Sequence, residues 1–217
     1  RVIMIHLVIG TPMYGGMCTS EYTQSLLNLS ESANKSNVKL TTIFLGNESL
    51  IQRGRNTVAH HFMELPDATH LLFIDADMKF RTEDVVRMIK ADKSLIVGPV
   101  SLKGYNWEEI RQAAINGEDE IHRTGGIYNI NKLPGIDMVD ENEPFEIEHG
   151  GNAFMMIRKD VFETLKPHTP IYTNGGASLP DGCEIHDYFR VEINKDTNHL
   201  LSEDYFLCHS YRQLGGK

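Results

Sequence analysis

The chain has 217 residues, of which 41% are hydrophobic and 24% are charged. These proportions exclude a disordered, collagen-like or disulfide-scaffold protein, and a chain of this length can bury a core without disulfides or a structural metal. Its 21 Lys and Arg residues against 30 Asp and Glu residues give a net charge of −9. Most of that surface would repel a phosphate backbone, so we expect no nucleic-acid partner.

The three cysteines, Cys18, Cys183 and Cys208, are far apart in the sequence. They fit neither a disulfide framework nor a zinc-ligand set, so free thiols in a reducing compartment are expected. The apolar run over residues 2–9 is too short to cross a bilayer and lacks the cleavage site of a signal peptide. We therefore expect a cytoplasmic protein with no membrane span.

The first hundred residues alternate apolar runs with amphipathic segments. The apolar runs predict strands over residues 2–9, 38–45, 70–74 and 95–100, the first of them breaking at Gly10-Thr-Pro12. Helical spacing predicts helices over residues 20–30, 50–64 and 82–90, with Ser49 and Thr82 as amino-terminal caps. Strands and helices that alternate at this pitch are typical of βαβ units, so we predict an α/β fold with a largely parallel sheet.

After residue 103 the pattern changes. Short segments predict a helix over 106–116, β-like pieces over 126–130 and 145–148, a strand over 153–158 and a helix over 160–165. Residues 167–183 are rich in Pro and Gly and predict a long loop, which in a compact domain tends to be functional. A closing helix is predicted over 202–214, with Ser202 as its cap and Gly215 as its stop.

The sharpest chemical feature is Asp75-Ala-Asp77, directly after the third apolar run. In an open α/β sheet, the carboxyl end of a buried strand faces the ligand crevice. Alternation along an extended chain sends Asp75 and Asp77 to the same side. Two hard oxygen ligands at this spacing suit Mn²⁺ or Mg²⁺ shared with substrate phosphates. The plainer interpretation is a strand end with two solvated turn aspartates.

This arrangement resembles the nucleotide-sugar-dependent glycosyltransferases of the GT-A fold, which is a Rossmann-like α/β domain whose central, largely parallel or mixed sheet is flanked by helices. Five segments in order, over most of the chain, carry the resemblance: Gly10-Thr-Pro-Met-Tyr14, Gln52-Arg-Gly-Arg55-Asn56-Thr-Val-Ala59, Asp75-Ala-Asp77, Gly150-Gly-Asn-Ala-Phe154 and Ser202-Glu-Asp204-Tyr-Phe. In particular, the chain resembles the amino-terminal glycosyltransferase domain of the large multidomain glycosyltransferases of chloroviruses. If the protein is viral, as this resemblance implies, we expect it in the host cytoplasm.

The first two segments imply contacts with the donor nucleotide. The resemblance makes Thr11, Pro12 and Tyr14 part of the donor-nucleotide loop, and it places Arg53 and Arg55 at a helix start near the phosphates or the base. Pro12 and Tyr14 can stack on a base, or they can simply pack as loop residues. The two arginines can meet phosphate together with first-turn N–H groups, or they can lie on a solvated helix face.

The third and fourth segments imply a metal and a sugar subsite. The resemblance assigns the metal to Asp77, while Asp75 helps or bonds the ribose. A leaving nucleoside diphosphate carries about two negative charges that a cation must neutralise, and on an acidic protein that cation has to be local. Gly150 and Gly151 lack side chains, so a sugar could approach the backbone there, although a glycine pair also serves as an ordinary turn before a strand.

The fifth segment implies the catalytic acids. The resemblance makes Asp204 the group that deprotonates the acceptor hydroxyl, while Glu203 positions the acceptor or the sugar. Acids are also favoured in a first helical turn by the helix dipole alone. The family often supplies a third metal ligand, a His, after this helix, where the present chain stops. His209, on the helix, and His149, beside the glycine turn, are weak candidates for that ligand.

The expected function is therefore transfer of a hexose or deoxyhexose from a UDP-sugar to a glycan acceptor, with Mn²⁺ or Mg²⁺ as cofactor and with inversion or retention left open. Residues 1–103 would form the nucleotide-binding half and residues 104–217 the acceptor half of one domain, with the loop over 167–183 on the acceptor side. Because the chain stops directly after its closing helix, we expect further domains of a longer chain.

Two other functions stay open. Haloacid-dehalogenase-like phosphatases also carry Asp-x-Asp after a strand, but usually after the first strand and with Thr or Val where this chain has Lys79. Turnover of a simple aryl phosphate would favour that class. A non-catalytic nucleotide-sugar or carbohydrate-binding module would bind a sugar nucleotide without hydrolysing or transferring it.

Overall fold

The computed structural model describes residues 4–121, 124–136, 143–174 and 179–217. Within these ranges the helices are α1 (Ser20–Asn34), α2 (Ile51–Glu64), α3 (Thr82–Ala91), α4 (Trp107–Ile115), α5 (Lys159–Leu165) and α6 (Glu203–Gln213). The strands are β1 (Ile5–Met13), β2 (Val38–Gly46), β3 (His70–Ile74), β4 (Leu95–Val97), β5 (Ser101–Tyr105), β6 (Gly126–Tyr128), β7 (Ile130–Lys132), β8 (Ile147–Gly150), β9 (Phe154–Arg158), β10 (Ile171–Asn174), β11 (Cys183–His186), β12 (Glu192–Ile193) and β13 (Leu200–Leu201).

A five-stranded mixed sheet forms the centre of the molecule, in the order β2-β1-β3-β9-β4. Strand β1 runs parallel to both β2 and β3, whereas β9 runs antiparallel to β3 and β4. The α/β prediction is confirmed in a Rossmann-like form whose parallel part is limited to the first three strands. The carboxyl ends of β1 and β3 therefore meet at one edge of the sheet, as the Asp-x-Asp argument requires.

Alternation along the buried strands divides the core into two layers. On β3, Leu71 and Phe73 face a cluster with Phe62 of α2 and Phe162 of α5. The intervening Leu72 and Ile74 face a second cluster with side chains of α1 and α3, among them Tyr22 and Val85. Helices thus cover both faces of the sheet, and the inner strands β3 and β9 are nearly continuous apolar runs for that reason.

Strand β1 continues through Gly10-Thr-Pro12, where the sequence predicted a break. A Cβ atom at Gly10 would lie 2.4 Å from Cγ1 of Val58, so the glycine permits close packing of α2 on the strand rather than a turn. The prediction was wrong because a glycine in a strand serves either purpose. Residues 2 and 3 of the predicted first strand lie outside the described residues.

The second half of the chain contains more strand than its sequence suggests. The predicted loop over residues 167–183 in fact contains β10, which pairs with β11 in an antiparallel hairpin, while residues 175–178 lie outside the described ranges.

The predicted Ser49 and Thr82 caps were also wrong, since Leu50 and Arg81 hold those positions without a side-chain cap. In the described ranges, no helix combines the length and apolar character needed to cross a membrane.

Candidate active site

A cleft of about 800 Å³ opens at the carboxyl ends of β1 and β3, a volume within the usual range for small-molecule sites. It is bounded by the turn after β1, the turn after β3, the turn before β9 and the start of α6. Its lining residues are Pro12, Tyr14, Met17, Cys18, Thr19, Ile51, Arg55, Asp75, Ala76, Asp77, Leu102, Asn129, Asn152, Ala153, Glu203 and Asp204. Residues from all five sequence segments described above therefore meet in one cleft, with Asn152 and Ala153 representing the fourth.

The Asp-x-Asp turn is anchored on both sides. The backbone N–H of Asp75 donates to the carbonyl of Ala153 at 3.1 Å, and the carbonyl of Ala76 accepts from the N–H of Thr19 at 2.9 Å. The carboxylates themselves remain accessible, with Asp75 37% and Asp77 65% exposed. This arrangement fixes the backbone of the turn and leaves oxygen atoms of both residues open to the cleft.

Arg55 connects the turn to helix α6. Its guanidinium is almost fully buried, lies 5.2 Å from the centre of the Phe73 ring, and donates to Asp75 at 3.0 Å and to Glu203 at 3.5 Å. Its Nη1 atom is buried without a hydrogen-bond partner among the described residues. Arg55 thus holds two acids of different elements in place, while its Nη1 group keeps hydrogen-bonding capacity that the described residues do not use.

The two acids of α6 are in different environments. Asp204 accepts hydrogen bonds from the N–H groups of Tyr205, at 2.8 Å, and Asn152, at 3.2 Å, and from the hydroxyl of Ser202. Glu203 is largely buried, and that burial, together with the adjacent charge of Asp204, raises the pKa of its carboxyl despite the opposing effect of Arg55. Asp204 therefore accepts several hydrogen bonds from the protein itself, whereas burial makes the Glu203 carboxylate readier to take up a proton than an exposed glutamate.

The glycine turn packs against the protein on its far side. Strand β8 ends at Gly150, where a Cβ atom would lie 2.8 Å from Val97, and a Cβ at Gly151 would lie 2.1 Å from Nδ2 of Asn129. The Cys208 thiol donates to the Gly150 carbonyl at 3.8 Å, and burial raises its pKa to about 12. These glycines are required for close packing, and neither of them lines the cleft.

Two further residues predicted to contact the donor, Thr11 and Arg53, do not line the cleft. The Thr11 hydroxyl is buried and bonds to the hydroxyl of Tyr22 at 2.6 Å. Arg53 donates twice to Glu48, at 2.6 and 2.8 Å, and does not line the cleft. By contrast, Tyr14 lines the cleft and is 75% exposed, so its ring is free to stack on a flat ligand.

Asn152 and Asn129 are cleft residues that the sequence interpretation did not assign. Asn152 stands inside the quoted glycine segment, but an asparagine after two glycines is also an ordinary turn residue. Asn129 follows a short edge strand and gives no signal of its own. Neither candidate histidine, His149 or His209, lines the cleft. The ring of His149 is buried and stacks on Tyr205, with 5.1 Å between the ring centres.

The cleft is acidic. Its lining, within the described residues, contains four carboxylates and one basic side chain, Arg55. Lys103 approaches Asp77 only to 4.0 Å and is 98% exposed, so water screens that pair. No group of three His, Cys, Asp or Glu residues in the described ranges is arranged to hold a metal ion. A hard cation that takes one or two carboxylates and completes its shell with phosphate oxygens and water fits this donor set.

Comparison with known proteins gives little further information. No family model matches the chain, and no curated protein matches its sequence. Among solved structures, the crystal structure of A197 from STIV covers 74% of this chain and 68% of its own length, with 16% sequence identity and a TM-score of 0.44. A likeness at that level says nothing about what the cleft binds.

Proposed function

We propose that the chain is a metal-dependent glycosyltransferase of the GT-A kind that transfers a hexose or deoxyhexose from a UDP-sugar to a glycan acceptor. The observation that carries the proposal is the meeting of Asp75 and Asp77 with Glu203 and Asp204 across one cleft, bridged by Arg55. An acidic cleft repels a diphosphate unless a cation enters with it. The five-segment resemblance and this charge pattern therefore support the same donor class.

Asp75 and Asp77 would hold Mn²⁺ or Mg²⁺, which neutralises the charge that develops on the leaving diphosphate. The unpartnered Nη1 of Arg55 is the protein's own donor toward the same group. Tyr14, exposed on the rim, would stack on the uracil ring. In this arrangement the nucleotide lies over the carboxyl ends of β1 and β3, and the sugar points toward the turn before β9.

The contacts favour Glu203, rather than Asp204, as the proton acceptor. In inverting transfer, the acceptor oxygen bonds to the anomeric carbon, the bond from that carbon to the diphosphate breaks, and the hydroxyl proton passes to the Glu203 carboxylate. Asp204, which already accepts from three donors of the chain, would instead fix the glycine turn against α6. In retaining transfer, the leaving phosphate would take the proton and no base is needed.

The test is calorimetric titration of UDP into the protein with and without Mn²⁺. We expect binding that requires Mn²⁺ and that falls at least tenfold in Asp77→Ala, since one of the two carboxylate ligands is lost. Asp84→Ala is the matched control. Asp84 lies on α3, pairs with Arg81 just before that helix, and does not line the cleft. If Asp77→Ala binds UDP with Mn²⁺ as tightly as the parent, the metal role of this turn is wrong.

Donor turnover then separates an enzyme from a binding module. We expect slow hydrolysis of a UDP-hexose in the absence of an acceptor, and its loss in Asp77→Ala. Binding of the sugar nucleotide with no hydrolysis, and no transfer to any of a panel of glycan acceptors, would favour the non-catalytic module.

A further inference from the structure

Asn152 carries a buried side-chain amide whose hydrogen-bonding groups are left unused by the described residues. The residue is 1% exposed, and neither Nδ2 nor Oδ1 has a hydrogen-bond partner among the described residues. Asn56 is a natural comparison, because it is equally buried but donates to Asp187 at 2.8 Å and accepts from the N–H of Phe189 at 2.9 Å. Buried amides are normally paired in this way, so the unpaired one needs an explanation.

The backbone on either side of Asn152 fixes its position in the cleft. Its own N–H donates to Asp204 at 3.2 Å, and the carbonyl of the next residue, Ala153, accepts from Asp75 at 3.1 Å. The preceding N–H, of Gly151, donates to the carbonyl of Asn129 at 2.9 Å. Asn152 therefore stands between the Asp-x-Asp turn and the start of α6, and its side chain takes no part in holding it there.

The chemistry of an amide limits what can satisfy it. A carboxamide presents two N–H donors and one carbonyl acceptor. A phosphate only accepts, so it would leave Oδ1 unpaired, and a metal cation would leave both N–H groups unpaired. Neighbouring hydroxyl groups of a sugar ring each donate and accept, so two of them satisfy both ends of the amide at once. An amide also adds no charge beside the carboxylates of Asp75 and Asp204.

We propose that the Asn152 side chain binds two neighbouring hydroxyl groups of the donor's sugar ring, an inference that rests on the proposed function. Asn152 is then the residue that distinguishes a sugar nucleotide from the bare nucleotide. It also selects donors that carry both hydroxyl groups, because a deoxy sugar lacking one would leave half of the amide unpaired.

The test compares UDP with UDP-glucose and UDP-galactose, in the presence of Mn²⁺, by calorimetry on the parent and on Asn152→Leu. In the parent we expect at least one UDP-hexose to bind roughly 10- to 30-fold more tightly than UDP, the gain from about two neutral hydrogen bonds. In Asn152→Leu that gain should disappear, while the affinity for UDP stays within twofold of the parent.

Failure of the inference and failure of the proposed function give different results. No binding of UDP to the parent would overturn the function. Normal binding of UDP, with no gain from either hexose or with a gain that survives in Asn152→Leu, would overturn the inference alone. A loss of UDP affinity in Asn152→Leu would also overturn it, because the amide would then serve the nucleotide or its metal ion.

Thermal unfolding of the ligand-free proteins excludes a merely structural role. Replacing an unpaired buried amide with an apolar side chain of similar size should leave the Tm of Asn152→Leu unchanged or raise it. Asn56→Leu is the matched control. It should lower the Tm by several degrees, because the amide that it removes makes two hydrogen bonds. It should still bind the UDP-hexose more tightly than UDP, as the parent does. An equal fall in both variants would show that the Asn152 amide stabilises the fold, and would overturn the proposal.

Discussion

The polar groups at the two ends of the central sheet differ in how they are paired. At the amino end, the Thr69 hydroxyl bonds to both the N–H and the carbonyl of His6, at 3.0 and 3.1 Å, and Lys39 pairs with Asp67 at 2.7 Å. At the carboxyl end, four carboxylates share the cleft with one buried arginine, and the Asn152 amide has no partner among the described residues. The named groups of the first end therefore pair with one another, whereas the second end leaves hydrogen-bonding capacity of Arg55 and Asn152 unused within the described residues.

The largest expected effect at the carboxyl end is on catalysis. Glu203→Gln should lower kcat for transfer by about 10²- to 10⁴-fold, the usual contribution of a positioned general base, with little change in the affinity for UDP. Steady-state kinetics with donor and acceptor measure it, and Asp204→Asn in the same assay separates the two acids. An unchanged kcat would mean that Glu203 takes no proton, as retaining transfer allows.

At the amino end the expected effect is on stability alone. Thr69→Val keeps the shape of the side chain but removes a hydroxyl that makes two bonds to His6 and one, at 2.8 Å, to the ring of His70. We expect the free energy of unfolding to fall by about 1–3 kcal/mol, which corresponds to a fall in Tm of about 2–12 °C. Affinity for UDP with Mn²⁺ should not change. A large loss of affinity would contradict the separation of the two ends.

Glu203→Gln should have the opposite effect on stability. Because the pKa of Glu203 is raised in the folded state, the folded protein binds its proton more tightly than the unfolded chain does, and stability falls as pH rises through that pKa. Removing the acid should therefore raise the Tm at pH 7 relative to that of the parent. Below the ordinary pKa of a glutamate, the variant and the parent should differ little. Melting curves at pH 4 and pH 7 test the sign.

The smallest expected effect is at Lys103. Its pair with Asp77 is long and exposed, so Lys103→Ala should change the free energy of unfolding by less than about 0.5 kcal/mol. Thermal melts at low and high salt measure this. A loss as large as that of Thr69→Val would mean that the carboxyl end also relies on its ion pairs for stability.

The sequence predicted the parts of the molecule that depend on local pattern. Strand β3 has the predicted bounds, and the placement of Asp75 at its carboxyl end follows from a short apolar run that ends in an acid. The meeting of this turn with Glu203 and Asp204 was expected only through the family resemblance, because no local signal relates residues so far apart in the chain. The division of the chain near residue 103 and its origin in a longer protein stay predictions.

Other features depended on tertiary packing and could not be predicted locally. Gly10 was predicted to end the first strand, because nothing in the sequence indicates that α2 packs against β1 at that glycine. It assigned Arg53 and Arg55 to one role, although the structure pairs Arg53 with Glu48 and buries Arg55 between two acids. The unpaired state of Asn152 is likewise a property of its surroundings and not of its sequence neighbours.

The position of β9 has a consequence for how the protein is made. Strand β9 lies between β3 and β4, yet it is synthesised long after both, and among the described strands it is the partner of β4 in the central sheet. A ribosome-bound chain that ends before residue 154 therefore exposes the apolar edge of β3, a hazard for association with other nascent chains. The acids of α6 follow later still, so the cleft cannot be completed until residue 204 has been synthesised.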